Sequence, residues 1–249
     1  MQSNDEDGNN GVTYMIYGSS GSGKSTLLKN VFFNHIYSEN ADKDYIVYVF
    51  TESKFSDALR DLPKCLIMDY AGLDEDVINF AYLQNMEFQK RYNFVFVLDD
   101  VIGLRFHNVL EKCLLVYRNS NISTIISIQY PKKVPISMRS CAYQIICLPF
   151  NSSEATEIVV RACVSKYVPG NNIQEKISNY NDWAHHYKGF YVDNLNHKGY
   201  RFDSDYQCTE LPPITIRNCM SLESQRNQSI WDANTNTNTN TDTIENEEE

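Results

Sequence analysis

An α/β fold is predicted by three features of the chain. Short β-branched and aromatic runs alternate with longer stretches of helical periodicity, the pattern of βαβ units around a mostly parallel sheet. A Gly- and Ser-rich segment, GSSGSGKS, lies between the first such run and the first helical stretch. A later apolar run, FVFVLDD, ends abruptly in two aspartates. Together these predict a sheet with helices on both faces and a ligand site at its carboxyl edge.

Five strands are expected, at residues 12–17, 45–50, 94–98, 122–128 and 143–148, with a weaker sixth at 65–68. The first helix follows Gly23, where Leu27, Leu28, Val31 and Phe32 recur at helical spacing. A second is expected from Asp76 to Arg91, carried by Val77, Phe80, Ala81, Gln84 and Phe88. Two more are expected at Phe106–Tyr117 and Ser153–Tyr167, the latter capped by Ser152 or Ser153.

With 249 residues, 42% of them hydrophobic, the chain can bury one α/β core but has little left for a second. The expected organisation is a disordered start over residues 1–11, one folded domain over 12–220, and a disordered tail over 221–249. That tail repeats Asn-Thr and then turns acidic, a composition with almost nothing to bury against the entropy of ordering. The formal charge of -10 sits mostly at the two ends, in Asp5, Glu6 and Asp7 and in seven acids after residue 220 opposed by Arg226. The middle is close to neutral, so overall charge neither favours nor excludes a nucleic-acid partner.

No apolar run approaches the roughly 20 residues of a spanning helix, and the polar, acidic start does not fit a signal peptide. A soluble protein inside the cell, without membrane insertion, is therefore expected. The seven cysteines form no C-x-x-C pair, which favours reduced thiols over a zinc site. His185 and His186 beside Trp183 lack any ligand spacing and are expected in packing or at the surface.

GSSGSGKS fits G-x-x-x-x-G-K-[ST] at every fixed position, in the strand-to-helix context that gives the motif its meaning. Gly18, Gly21 and Gly23 permit backbone angles that turn successive N–H groups inward, and the helix behind adds its positive end, which makes an anion nest for phosphates. Lys24 would bridge the terminal phosphates of ATP, and Ser25 would ligate Mg2+. The nucleotide-binding set is Gly18, Ser19, Ser20, Gly21, Ser22, Gly23, Lys24, Ser25 and Thr26. A flexible linker of the same composition would rarely set Lys and Ser directly before a Leu-Leu helix.

Such a loop needs a carboxylate at the end of a neighbouring apolar strand. Asp99 is the candidate for the Mg2+ side and Asp100 the candidate base, a plain acidic turn being the alternative. Gln129 ends the next strand, where a polar side chain can read the terminal phosphate or simply close the strand. Arg118 precedes that strand and, taken by itself, reads as a solvated cation at a helix end. Lys132 and Lys133, between Pro131 and Pro135, form a short basic loop directly after Gln129, a footprint small enough to be an ordinary solvated turn.

The strings GSSGSGKSTLL, FVFVLDD and RNSNISTIISIQYPKKVPISMRS, in this order, resemble the FtsK/HerA superfamily of additional-strand P-loop motors, most of all the genome-packaging ATPases of poxviruses, other large DNA viruses and virophages. The resemblance spans about residues 12–200 and includes DWAHHYKGFYVDN. It implies an ATP- and Mg2+-dependent motor on double-stranded DNA, a homo-oligomeric ring, hexameric in such motors, and capsid proteins as partners. It also implies a place in the host cytoplasm, a viral factory or the virion. By the same resemblance Arg118 is a finger reaching the neighbouring subunit's ATP and Gln129 a phosphate sensor. Many members carry Asp-Glu where this chain has Asp99-Asp100, which leaves Asp100 the less secure assignment. Arg139 falls in the family-like P-x-x-x-R segment, either as a structural pair or as a DNA contact.

Two other classes share the phosphate loop. A small-molecule kinase would need a mobile, arginine-rich lid, for which only Arg60 or Arg91 offers itself. A non-catalytic, nucleotide-dependent scaffold needs nothing beyond the loop. A transporter-type ATPase would need an LSGGQ-like signature before its acidic strand, and none is there.

Overall fold

The computed structural model describes residues 11–31, 45–51, 67–71, 75–88, 93–99, 108–115, 117–139, 141–203 and 208–211. These all lie in one compact unit, Met1–Pro213; of the expected disordered ends, 1–11 and 221–249, only Gly11 is described, and it is buried, the rest lying outside the described residues.

The chain opens with β1 (Thr13–Tyr17), all five residues of which are buried, and passes through the Gly-rich loop into α1 (Lys24–Val31). Then come β2 (Tyr45–Thr51), β3 (Ile67–Ala71), α2 (Glu75–Glu87), β4 (Asn93–Asp99) and α3 (Asn108–Leu115). A 3-10 turn, Tyr117–Ser120, leads into β5 (Ile122–Ile128), and two further 3-10 turns, Pro131–Lys133 and Ile136–Met138, lead into β6 (Gln144–Cys147). The second half holds α4 (Ser153–Val159), continued by one π-helical turn Val160–Val164, then α5 (Ile173–Trp183), β7 (Gly189–Asp193), β8 (Lys198–Phe202) and β9 (Cys208–Leu211).

The nine strands form one sheet in the order β3-β2-β4-β5-β1-β6-β7-β8-β9. The pairs from β3 to β6 are parallel, and β7, β8 and β9 are added antiparallel. The decisive feature is β5, which stands between the loop-bearing β1 and the aspartate-bearing β4. This inserted strand is the additional-strand arrangement expected from the sequence.

Continuous apolar runs mark strands buried on both faces, and alternation then sorts their side chains. One face carries Met15, Tyr17, Tyr48, Phe50, Phe94, Phe96 and Leu98, packed under α2, α3, α4 and α5 through Ile78, Leu114, Val159 and Tyr180. The other carries Tyr14, Ile16, Val47, Val49, Val95 and Val97 and receives Leu27, Leu28 and Val31 of α1. Burying an aliphatic side chain of this kind contributes about 1.5–3 kcal/mol before the entropy of ordering is set against it. The two-faced core thus clamps β1 from both sides and fixes where its carboxyl end lies.

Several boundaries differ from the expectation. The weak third strand lies two residues later than expected, at Ile67–Ala71. It is an edge strand in the described sheet, paired on one side by β2, where a polar residue such as Asp69 does not interrupt it. Helix α2 ends at Glu87 instead of Arg91, with Phe88 in a turn. Helix α5 and strands β7 to β9 were not expected at all. The cap of α5 is a clear local signal in hindsight: Asn172 Oδ1 accepts from the Glu175 amide at 2.9 Å while Glu175 reaches back to the Asn171 amide at 2.8 Å. Ile173, Ile177, Tyr180 and Trp183 follow it at helical spacing.

Candidate functional site

The loop leaves β1 sutured to both neighbouring strands. The Gly18 amide donates to the Ile128 carbonyl at the end of β5, and the Ser19 amide and hydroxyl both donate to the Pro149 carbonyl just past β6, all at 3.1 Å. The Ser22 amide bonds back to the Ser19 carbonyl at 3.2 Å, closing a tight turn, and the first helical bond of α1 runs from Leu27 to the Gly23 carbonyl at 3.0 Å. Two positions need glycine for its backbone freedom, Gly21 at φ 74° and Gly23 at φ 96°. At Gly18 the constraint is space, because a Cβ there would stand 2.4 Å from Ser22 Oγ and 2.9 Å from Leu148 Cβ.

Lys24 is buried, and its ammonium folds back to donate to the Ser19 carbonyl at 2.9 Å. Ser25, one residue on, donates to Asp99 at 3.2 Å to Oδ2 and 3.4 Å to Oδ1. Asp99 is the last residue of β4 and is 1% exposed. Its Oδ1 also accepts from the Ser127 hydroxyl of β5 at 2.8 Å. A buried carboxylate requires such donors, since leaving it unpaired would cost several kcal/mol. Ser127 is the residue the sequence reading missed. A hydroxyl inside the apolar run ISTIISI reads as a neutral strand residue until the register sets it beside Asp99.

Gln129 follows β5 directly and is half-buried. It lines a cleft of about 380 Å³ together with Ser19, Ser20, Lys132, Phe150 and Glu154. This cleft adjoins the first half of the loop, not Lys24 and Ser25. Lys132 pairs with Glu154 at 2.8 Å across its rim, and Lys133 lies over the Tyr130 ring at 5.1 Å. Arg139 Nε donates to the Val134 carbonyl at 3.0 Å, and its own carbonyl accepts from the buried Tyr17 hydroxyl at 3.1 Å, so its contacts are internal ties of the loop between β5 and β6.

Arg118 lies in the 3-10 turn before β5, which Asn85 of α2 pins by donating to the Ser120 carbonyl. The Arg118 side chain and the whole of Asp100 lie outside the described residues. The structure therefore brings together the loop, Lys24, Ser25, Asp99 and Gln129 at one edge of the sheet, with the Arg118 turn at the opposite end of β5.

The residues fit a bound nucleotide. Ser22 Oγ is buried inside the loop with no hydrogen-bond partner, an acceptor or donor group that water does not reach. The backbone around it turns through Gly21 and Gly23 at positive φ, and Gly18 leaves no room for a side chain beside Ser22. Ser25 and Asp99, already within hydrogen-bond distance, are oxygen donors of the kind a divalent cation takes. His185 and His186 are exposed, their rings edge to face at 5.3 Å, and among the described residues no cluster of three or more His, Cys, Asp or Glu could hold a metal.

The NB-ARC domain family matches residues 2–147. The chain belongs to the NB-ARC domain family. The match ends with β6, so it covers the parallel part of the sheet, and the antiparallel strands β7 to β9 lie beyond it. As an NB-ARC chain the protein is a nucleotide-binding P-loop NTPase, as the GSSGSGKS loop implies. Comparison with curated proteins finds no match.

Among solved structures, the genome packaging NTPase B204 from Sulfolobus turreted icosahedral virus 2 in complex with ATP-gammaS aligns with a TM-score of 0.53 at 14% identity, over 84% of this chain and 100% of that one. Its complex with sulfate aligns at 0.52 and 13% identity, over 82% and 98%. The DNA-packaging ATPase B204 from Sulfolobus turreted icosahedral virus aligns at 0.51 and 14% identity, over 84% and 100%. At these identities the likeness is one of fold, and it is the fold the sequence resemblance implied.

Proposed function

We propose that this NB-ARC chain is an ATP-driven translocase of double-stranded DNA that packages viral genomes. The observation that carries the reading is the inserted strand β5, which touches the Asp99 carboxylate through Ser127, ends at Gln129 beside the loop, and continues into the Pro131–Lys133 turn. A change at the phosphates is thereby tied to a basic surface turn. The likeness of fold to a genome packaging NTPase supports the same reading.

In this reading the loop from Gly18 to Thr26, through the amides it does not spend on its own ties, and the Lys24 ammonium hold the triphosphate, and Ser25 with Asp99 hold Mg2+. When bound, Mg2+ supplies charge neutralisation at the phosphoryl oxygens. Asp100 orients the attacking water and takes its proton, and Gln129 reads whether the terminal phosphate is present. Arg118 completes the site of a neighbouring subunit, so hydrolysis requires a ring, a hexamer by the resemblance. Lys132 is released from Glu154 to meet DNA phosphate, since an exposed pair of this kind is worth at most about 1 kcal/mol. Capsid proteins are the partners such a motor needs, in the host cytoplasm or a viral factory.

Steady-state ATP hydrolysis with and without double-stranded DNA tests the proposal. DNA-stimulated turnover is expected. Phosphorylation of a small acceptor instead would make the chain a kinase, and nucleotide binding without turnover would make it a scaffold.

A further inference from the structure

The segment joining α5 to β7 is a tight turn in which the His185 carbonyl accepts from the Lys188 amide at 2.9 Å. Both central residues have positive φ, 46° at His186 and 67° at Tyr187. Turns of this kind are normally built from Asn-Gly or Gly-Gly, because side chains with a Cβ avoid the left-handed region and a bulky one most of all. Tyr187 nevertheless takes that position and leaves its side chain 54% exposed. The strain therefore does not serve to bury the ring in a core.

The ring's placement offers another reason. A Cβ at Gly23 would stand 2.9 Å from Tyr187 Cδ1 and 3.4 Å from Cε1, so one edge of the ring lies against the phosphate loop at the residue before Lys24. The turn is firmly held there. The Trp183 ring takes both the Lys188 ammonium, 5.2 Å from its centre, and the Arg201 guanidinium, at 4.5 Å. At Gly189 a Cβ would stand 2.3 Å from the Cys147 carbonyl oxygen, so β7 begins flush against the end of β6.

Resting on the nucleotide reading above, we infer that Tyr187 is the stacking platform for the base of the bound nucleotide, a purine by preference. The sheet order sets the direction. Asp99 and Ser127 lie on the β5 and β4 flank of β1 and hold Ser25 from there, which is where the terminal phosphate and its cation must face. The ribose and base then leave the loop on the opposite flank, where β6 and β7 carry Tyr187. An aromatic face offers stacking to any base and more area to a purine. It also explains why a turn that favours glycine carries a tyrosine.

The test is binding of ATP, CTP and inorganic tripolyphosphate to the full chain, each with Mg2+, in the parent, Tyr187→Ala and Tyr187→Phe. Tyr187→Ala is expected to weaken ATP by roughly tenfold to a hundredfold, to weaken CTP less, and to leave tripolyphosphate unchanged, with Tyr187→Phe restoring the ATP affinity. If Tyr187→Ala does not fold, Tyr187→Leu keeps bulk against Gly23 without an aromatic face and is expected to show the same loss. Equal losses for ATP and tripolyphosphate would make Tyr187 a buttress of the loop and overturn the inference, as would unchanged ATP affinity. A parent chain that binds none of the three ligands would overturn the nucleotide reading itself, a separate outcome.

Discussion

Ser127 and Asp99 face each other across two neighbouring strands, and the 2.8 Å bond from the serine hydroxyl fixes which way the carboxylate turns. Removing that donor loosens the hold on the buried Asp99 carboxylate and its aim at Ser25. Ser127→Ala is expected to keep the fold and lower Mg2+-dependent ATP affinity or turnover by roughly 10–100-fold, the usual cost of losing a partner that orients a metal-side ligand. Titrating Mg2+ at fixed ATP reads the effect, and an unchanged Mg2+ dependence would remove Ser127 from the site.

Lys24→Ala removes a buried ammonium whose present partner is a backbone carbonyl of the same loop. ATP affinity and hydrolysis should both collapse, while far-UV dichroism stays that of the parent. Parental turnover in Lys24→Ala would exclude the loop as the nucleotide site.

The two aspartates should fail differently, because holding a cation and polarising water are separable tasks. Asp100→Asn should bind Mg-ATP normally and hydrolyse it slowly. Asp99→Asn should also lose the metal-dependent part of binding, and the reverse pattern would exchange their roles.

Arg118→Ala should bind ATP and be inactive, an arginine finger contributing roughly 10³–10⁵ in rate. Mixed with Lys24→Ala subunits it should regain some hydrolysis, because certain interfaces then pair an intact loop with an intact arginine. A mixed assembly, verified by mass, that stays as inactive as either parent would exclude action between subunits.

Tyr180 is fully buried and donates to the Leu148 carbonyl at 2.7 Å, and burial pushes its phenol well above the usual value of 10.0. Burial does the same at Tyr17. With the folded value raised, the stabilisation is complete below the ordinary phenol range and is lost as pH rises past it. Burial raises the Cys113 and Cys147 thiols in the same way. The urea midpoint should therefore begin to fall above about pH 8, where unfolded thiols ionise, and fall more steeply above about pH 10 as the phenols join them. Tyr180→Phe should lower stability at neutral pH by about 1 kcal/mol and make the alkaline fall shallower.

The phosphate loop, Asp99 and the parallel half of the sheet were legible because each rests on local chemistry: glycines where φ is positive, a carboxylate where an apolar run stops, β-branched runs where both faces are covered. Ser127 was hidden because its meaning depends on strand register, a long-range property. The β7–β8 hairpin was hidden by its loop, Asn194–His197, which lacks glycine, and by Lys198 and Arg201 within the second strand. His186-Tyr187 does not announce a turn with two positive φ angles, since histidine only tolerates one and a bulky tyrosine avoids it.

The paired sutures of the loop to Ile128 and Pro149 leave it no slack. Gln129 and the Pro131–Lys133 turn hang from the same peptide that accepts the Gly18 amide, so a tug on that turn loads the Gly18 bond before it can be absorbed elsewhere. On the far side, the Pro149 carbonyl holds Ser19 twice and is followed three residues on by Ser152, the cap of α4, whose Glu154 pairs with Lys132. The loop, the turn and the helix start thus close a short mechanical circuit whose weakest joint is the exposed Lys132–Glu154 pair, so the turn parts from the helix before the loop loosens.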